Sequence, residues 1–399
     1  MKILWVKAGG LYPPNVGGRI RSYQILKELA KQHSVTIFTY YAATGEDRHH
    51  VLEREFSRVV SIPLSVPTGR ALGEALKYVR FLPSSLPYTV SKFSPPEVRN
   101  RLNKLIDEDK PDIIICDFVV AAEPIPWESN IPKVVFTHNV EASIWEQHYR
   151  LAKNPVWKWV AQREFRAMER YERTYLNRAD HVLTVSEQDR DAIAKFVDPS
   201  RITVIPTGVD VDYFRPSPEL EETPNSLVFS GAMDWMPNED GILYFVHEIL
   251  PLIWRDIPEI SLCVVGRDPS RKLRDLAASL PSIQVTGRVE DIRPFVQRGA
   301  VYVVPLRIGG GTRLKIFEAM AMGKAVVSTT IGAEGLPLNP GMDVVIADQP
   351  QEFADATVAL LKDPSRRLQM GRAARALVET QFSWESVVQP FNRVLESIF

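Results

Sequence analysis

Short apolar, β-branched runs alternate with helix-period segments along most of this 399-residue chain, and that alternation leaves few folds open. Strands are expected at residues 3–7, 35–40, 59–63, 113–117, 134–138, 182–186 and 202–206. Several are apolar throughout, as strands covered on both faces must be. Ile20, Tyr23, Leu26 and Leu29 mark a helical stripe between the first two. The pattern specifies a parallel sheet with helices on both faces.

The alternation stops at residues 206–224, which carry four prolines, one glycine and five acidic residues. That composition reads as a hinge or linker. It then restarts, with strands expected at 227–230, 261–266, 283–286, 301–306, 325–328 and 344–347. Helices are expected at 239–254, 312–322, 351–361 and 365–380. The fold class is therefore α/β, with two doubly wound, Rossmann-like domains over 1–205 and 225–380. A terminal segment, 381–399, follows. Open parallel sheets bind ligands outside the carboxyl ends of their strands. Two of them facing a central cleft would suit a transfer reaction between two ligands.

Charge and cysteine content narrow the partners. The net charge of −1 argues against a dedicated nucleic-acid binder. Residues 1–205 carry 29 Lys and Arg against 24 Asp and Glu, and the remainder 19 against 25. Cys116 and Cys263 each sit in an apolar run and read as small buried hydrophobes in a reducing compartment. Lys7 interrupts the apolar N-terminal run, which is too short for a signal peptide, and no stretch reaches transmembrane length. A cytoplasmic protein is expected. Any membrane contact would be peripheral, through the basic N-terminal domain at the inner face.

The richest chemical signal is Gly309-Gly310-Gly311-Thr312-Arg313-Leu314-Lys315, between an expected strand and an expected helix. Glycine amides at a helix start form a ready anion site, and Thr312 suits the N-cap. Arg313 and Lys315 stand where the helix dipole disfavours cations, so a negative ligand such as a diphosphate would offset them. A solvated tight turn is the alternative. Glu318 stands alone among apolar neighbours, either to accept from a vicinal diol such as a ribose, or to cap a neighbour or face solvent.

These residues resemble the C-terminal-domain motif of glycosyltransferase family 4, a retaining family of GT-B architecture. Glu318 and the run 319–323 match the second half of its Glu-x7-Glu motif. The resemblance extends over nearly the whole chain. Residues 202–214 resemble the interdomain hinge, 285–292 the base-binding loop with Arg288 and Val289, and 382–399 a terminal helix that crosses back to the first domain. It implies transfer of a hexose-type sugar from a UDP- or GDP-sugar, without a separate cofactor or metal, to an unidentified acceptor. Glu318 would then bind the ribose hydroxyls. Two departures stand out. Gly310 occupies the place of the first Glu. Ala232 follows Gly231 where the family has Arg, and no Lys comes after it, so Arg313 and Lys315 are the expected replacements. Asp234 is a candidate for sugar hydroxyls, or caps the turn before Asn238.

In the first half, Gly17-Gly18 with Arg19 and Arg21 shapes a loop at the sheet edge that the family places beside the transferring sugar. His138, expected to end a strand, would face the cleft near the reacting carbon, or be a structural histidine; Glu141 would act as a base or simply open a helix. Asp210-Val-Asp212 matches a metal signature of the other glycosyltransferase architecture, but lies in the hinge and is read as structural. Residues 154–178 combine an aromatic stripe with six basic residues, suiting an anionic surface or a core-facing helix with solvated charge. A GT-B epimerase and a non-catalytic nucleotide-sugar binder remain as alternatives.

Overall fold

The computed structural model describes residues 1–14, 16–42, 49–64, 78–93, 95–308 and 314–399. They form two compact units, Met1–Pro206 with Val388–Phe399, and Thr207–Val387.

The first unit is built on seven strands: β1 (Lys2–Ala8), β2 (Ser34–Ala42), β3 (Arg58–Leu64), β4 (Ile113–Asp117), β5 (Lys133–Phe136), β6 (His181–Thr184) and β7 (Ile202–Val204). Their order is β3-β2-β1-β4-β5-β6-β7, with every pairing parallel. The order reverses between β1 and β4, so the loops after these two strands diverge and leave a crevice. Side chains of β1 and β4 are buried on both faces, Trp5 and Ile115 among them. The strand expected to reach His138 ends at Phe136; Thr137 continues only as far as an N–H donation to Leu183 O.

The second unit repeats the plan with β8 (Ser226–Ser230), β9 (Ser261–Val265), β10 (Ile283–Val285), β11 (Val301–Val304), β12 (Ala325–Ser328) and β13 (Val345–Ile346). The order is β10-β9-β8-β11-β12-β13, again all parallel, with the reversal between β8 and β11. The helix expected over 239–254 is instead two α-helical pieces, Met236–Tyr244 and Leu250–Asp256, joined by a π-helical turn, Phe245–Ile249. Pro251 explains the break, because it has no N–H to donate and its ring crowds the carbonyl four residues back.

The proline-rich stretch after Pro206 has no regular element, yet it is strapped along the second unit. Ser217 N donates to Gln297 Oε1, and Glu222 accepts from the buried Lys324 Nζ at 2.7 Å and from Arg367 Nη2 at 3.0 Å. Asp210 accepts from the Tyr213 amide, which makes it a turn residue. Cys116 is buried, whereas Cys263 is only half-buried; both are free.

The helix Trp384–Ser397 begins in the second unit and ends in the first. There Phe391 stacks on Trp5 at 5.9 Å and closes the sheet from one side.

The turn after β9 is packed to the limit. A Cβ added at Gly266 would lie 1.7 Å from Gly231 O, in the neighbouring turn. Because that obstacle is backbone, neither turn can yield cheaply. Gly266→Ala is expected to destabilise the second unit by at least about 1–3 kcal/mol, read as a lower urea midpoint; an unchanged midpoint would contradict the packing described.

Candidate functional site

Each unit gathers its polar side chains at the carboxyl edge of its sheet, beside the reversal of strand order. In the first unit the centre is Asp117, the last residue of β4. It is paired in register with Lys7 of β1. Both are buried, and Lys7 Nζ donates to Asp117 Oδ2 at 2.8 Å. Trp5, two residues earlier on the same face of β1, donates Nε1–H to that oxygen at 2.9 Å. Lys7 also reaches Ser22 Oγ at 3.0 Å and lies 4.4 Å from the centre of the Phe118 ring. Burial works to raise the Asp117 carboxyl, but the Lys7 ammonium and the contact with His138 hold it well below its usual range.

His138 faces the other side of this carboxylate. Its Nε2 lies 2.8 Å from Asp117 Oδ1, close enough for a strong electrostatic contact although off the line of a hydrogen bond. Arg21 Nη1 lies 3.1 Å from His138 Nδ1. A guanidinium can only donate, so Nδ1 must be the bare nitrogen and the ring proton sits on Nε2. Burial pushes the His138 pKa down to about 3, overriding the attraction of Asp117. The imidazole is therefore neutral, faced by protein on both nitrogens, and stacked on Phe118 at 3.9 Å. Gly18 makes room for that stack, since a Cβ there would meet Phe118 Cζ at 2.9 Å. Gly17 opens the 14-residue helix Gly17–Ala30 with no side-chain cap and open space around it. Its first amides lack intrahelical acceptors, as at any helix start.

Beyond His138, Glu141 and Ala142 donate their backbone N–H groups to the buried Glu172, at 2.7 and 3.0 Å. Glu141 thus opens the helix Glu141–Leu151. Glu172 supplies the cap from the long helix Pro155–Arg178, and burial raises its pKa to about 7.

In the second unit, β8 ends at Ser230 and the chain turns at Gly231. Ser230 Oγ and Tyr302 OH are 2.6 Å apart beneath that turn. The buried Asn238 braces it, donating Nδ2–H to Ala232 O at 2.8 Å. Lys315, on the helix Leu314–Ala321, reaches the same place: its Nζ donates to Asn238 Oδ1 at 2.6 Å and sits 4.1 Å over the Phe229 ring. A Cβ on Gly231 would meet that ammonium at 2.6 Å. Glu318, one helical turn on and so on the same face, is surrounded by protein but retains some accessible surface. Burial raises its pKa to about 7, with Lys315 pulling the other way.

The structure thus brings Gly231, Lys315 and Glu318 to one turn of backbone and one turn of helix. Asp234 is exposed and lies 3.5 Å from Arg267 Nη2. Arg288 and Val289 lie beyond β10, at the sheet edge, Arg288 exposed and Val289 packed on the core. Gly310, Gly311, Thr312 and Arg313 lie outside the described residues. Lys7, Asp117 and Asn238 were missed by the sequence reading. A lone Lys and a lone Asp inside otherwise apolar strands were the available signal for the first two.

Two parallel α/β units of this topology define the GT-B fold. Comparison with solved structures agrees on the fold. Sucrose-phosphate synthase from Thermosynechococcus elongatus matches all of the chain and 99% of its own, with a TM-score of 0.69 at 18% identity. Anabaena HepE, solved with UDP-glucose, matches 100% of both chains with a TM-score of 0.66 at 16% identity. The profile described as Glycosyltransferase Family 4 matches residues 17–213, and that described as Glycosyl transferases group 1 matches 224–363. The chain belongs to this glycosyltransferase family. Among relatives, an uncharacterized 44.6 kDa protein in the cps region of Klebsiella pneumoniae is 22% identical over 97% of each chain. A GDP-mannose-dependent monoacylated alpha-(1-6)-phosphatidylinositol monomannoside mannosyltransferase of Corynebacterium glutamicum is 26% identical, over 48% of this chain and 55% of its own.

Two measurements check these environments. In protein labelled at histidine, 15N spectra should show His138 neutral with its proton on Nε2 from pH 8 down to about 4; titration near the ordinary value of about 6.5 would refute the buried contact with Arg21. Because the raised pKa leaves Glu318 partly protonated at neutrality, its side-chain carboxyl 13C resonance should titrate near pH 7, and titration near the ordinary value of about 4.3 would refute its burial. The titration near pH 7 should vanish in Glu318→Gln.

Proposed function

We propose that the chain is a retaining glycosyltransferase that moves a hexose-type sugar from a nucleotide diphosphate sugar to an acceptor hydroxyl. The observation that carries this reading is the pairing of Lys315 and Glu318 on one face of the helix Leu314–Ala321, with the Lys315 ammonium held against the Gly231 turn. A cation and a diol acceptor one helical turn apart match the two polar ends of a nucleoside diphosphate. Lys315, with Arg313, neutralises the diphosphate in place of the family cations that Ala232 and its neighbours do not supply. Glu318 accepts from the ribose hydroxyls.

As the sugar–phosphate bond breaks, negative charge grows on the departing diphosphate, and a fixed ammonium stabilises it most at that moment. The acceptor oxygen attacks from the same face, and the departing phosphate takes its proton, so little base strength is required. This suits His138, whose lowered pKa and protein-faced nitrogens make it a positioned neutral wall for the sugar rather than a base. The amides at Gly17 and Gly18 are the donors on this side. Charge from Arg313 and Lys315 makes a metal dispensable in this reading. HepE was solved with UDP-glucose and the mannosyltransferase relatives use GDP-mannose, so both bases belong in the test.

Thermal unfolding with UDP, GDP, ADP and their sugar conjugates, with EDTA or with magnesium, tests the assignment. A ligand at one hundred times its Kd should stabilise its unit by about 2.7 kcal/mol and raise the midpoint, for one base and equally in EDTA. Lys315→Ala and Glu318→Ala should abolish the shift. The absence of a shift with any nucleotide would overturn the donor site; a shift that survives in both variants would move it elsewhere.

A further inference from the structure

The helices Glu141–Leu151 and Pro155–Arg178 form a hairpin joined by a three-residue turn. Its tip breaks the rule that governs the rest of the first unit. Leu151 is 79% exposed, Val156 70%, Trp159 52% and Trp157 45%, all within nine residues. Single exposed hydrophobes are ordinary, but four large ones together at one tip are not. Next to them, Leu151, Ala152, Val156 and Val160 line an open groove of about 820 Å³ with Trp157 and His148. Trp157 is held in place by Trp145 and His148, with ring centres 6.3 and 6.2 Å away. The turn itself is fixed, because Asn154 Oδ1 accepts from the amides of Val156 and Trp157 and caps the longer helix.

Charge decides what covers this tip. From Gln147 to Gln162 the chain carries Arg150, Lys153 and Lys158 and no acidic residue; Arg150 pairs with Glu146 at 2.6 Å, so the excess positive charge rests on the two lysines. Lys153 and Lys158 are exposed, and Lys158 Nζ lies over the Tyr149 ring at 5.5 Å. Farther along the same helix the acids are mostly engaged: Glu164 accepts from Tyr78 OH and the Tyr88 amide, and Glu172 caps the preceding helix. A protein partner would need an apolar patch ringed by acids. A leaflet of anionic lipids offers both features at once, since tryptophan rings settle at the headgroup level and lysine stems reach from apolar surface to charged headgroups. Among the described residues no helix is long and apolar enough to cross a membrane, so contact at this tip would be interfacial.

We propose that the hairpin tip, through Leu151, Val156, Trp157 and Trp159 with Lys153 and Lys158, docks the protein onto a membrane surface rich in anionic lipid. This stands independently of the donor site, and its test needs no turnover. The full chain is incubated with vesicles of phosphatidylcholine alone, or with one third phosphatidylglycerol, and the bound fraction is measured by flotation at low and high salt. Tryptophan quenching by bromine-labelled lipid provides a second readout.

Binding is expected to the anionic vesicles only, and to fall as salt is raised. Trp157→Ala/Trp159→Ala should weaken partitioning by about tenfold or more and remove most of the quenching. Lys153→Glu/Lys158→Glu should weaken binding while leaving the circular-dichroism melting curve unchanged. Absence of binding to anionic vesicles at low salt would overturn the proposal. So would equal binding to both vesicle types, or binding that survives the tryptophan changes. Self-association abolished by those same changes, without vesicle binding, would assign the tip to a second copy of the chain instead.

Discussion

Removing the carboxylate of Asp117 would leave Lys7 as a bare ammonium inside a parallel sheet. An ion buried without a partner costs several kcal/mol, and the arrangement of the first unit follows from avoiding that cost. The Lys7–Asp117 pair bridges β1 and β4 where the strand order reverses. The same carboxylate orients Trp5 from below and faces His138 from the side. His138 in turn receives Arg21 from the first helix and stacks on Phe118. Two strands, a helix start and two loops are thereby keyed to one oxygen pair. An apolar substitute could fill the volume, but it would not fix the direction of the histidine ring. Positioning, more than stability, is what such a buried pair supplies.

The second unit solves a similar problem with neutral groups around one cation. Asn238 spends its amide N–H on the Gly231 turn and its carbonyl on Lys315, so one side chain braces the loop and aims the ammonium. Gly266 allows the next turn to press against the same backbone. The consequence is a site whose rigid parts are backbone turns at the ends of strands. Lys315 and Glu318 are then added from a helix whose apolar side, Ile316, Phe317, Met320 and Ala321, is sunk in the core. Rigid support of this kind lets a short polar face hold its geometry.

Most of the architecture was legible in the sequence because buried parallel strands must be apolar, and each expected strand lies within a residue or two of an observed one. The errors have local causes. Pro251 divides a helix that periodicity alone would join. His138 falls just past its strand, since the ladder ends one residue before Thr137. The pattern of the long helix Pro155–Arg178 gives no sign that its acids are buried, yet Glu164 and Glu172 are. Their partners, the amides of Tyr88, Glu141 and Ala142, are far away in sequence, and no helical pattern reveals a distant N–H group in need of an acceptor. Lys315 and Glu318 could be found because each violates its surroundings: a cation at a helix start, an acid in an apolar run. Lys7 and Asp117 violate theirs equally, and the same reasoning applied to strands would have found them.

The path of the chain also has a consequence for its making. Thr207–Val387 is inserted between two portions of the first unit, which is completed only by Val388–Phe399. Phe391 covers Trp5 of β1, which lies on the other side of the inserted unit along the chain. On the ribosome, the first sheet must therefore wait, with one apolar flank open, while the entire inserted unit is synthesised. The second unit can close earlier, as its strands are contiguous. The unit begun first is finished last, and the nascent sheet is the segment with most need of a chaperone's cover in the interval.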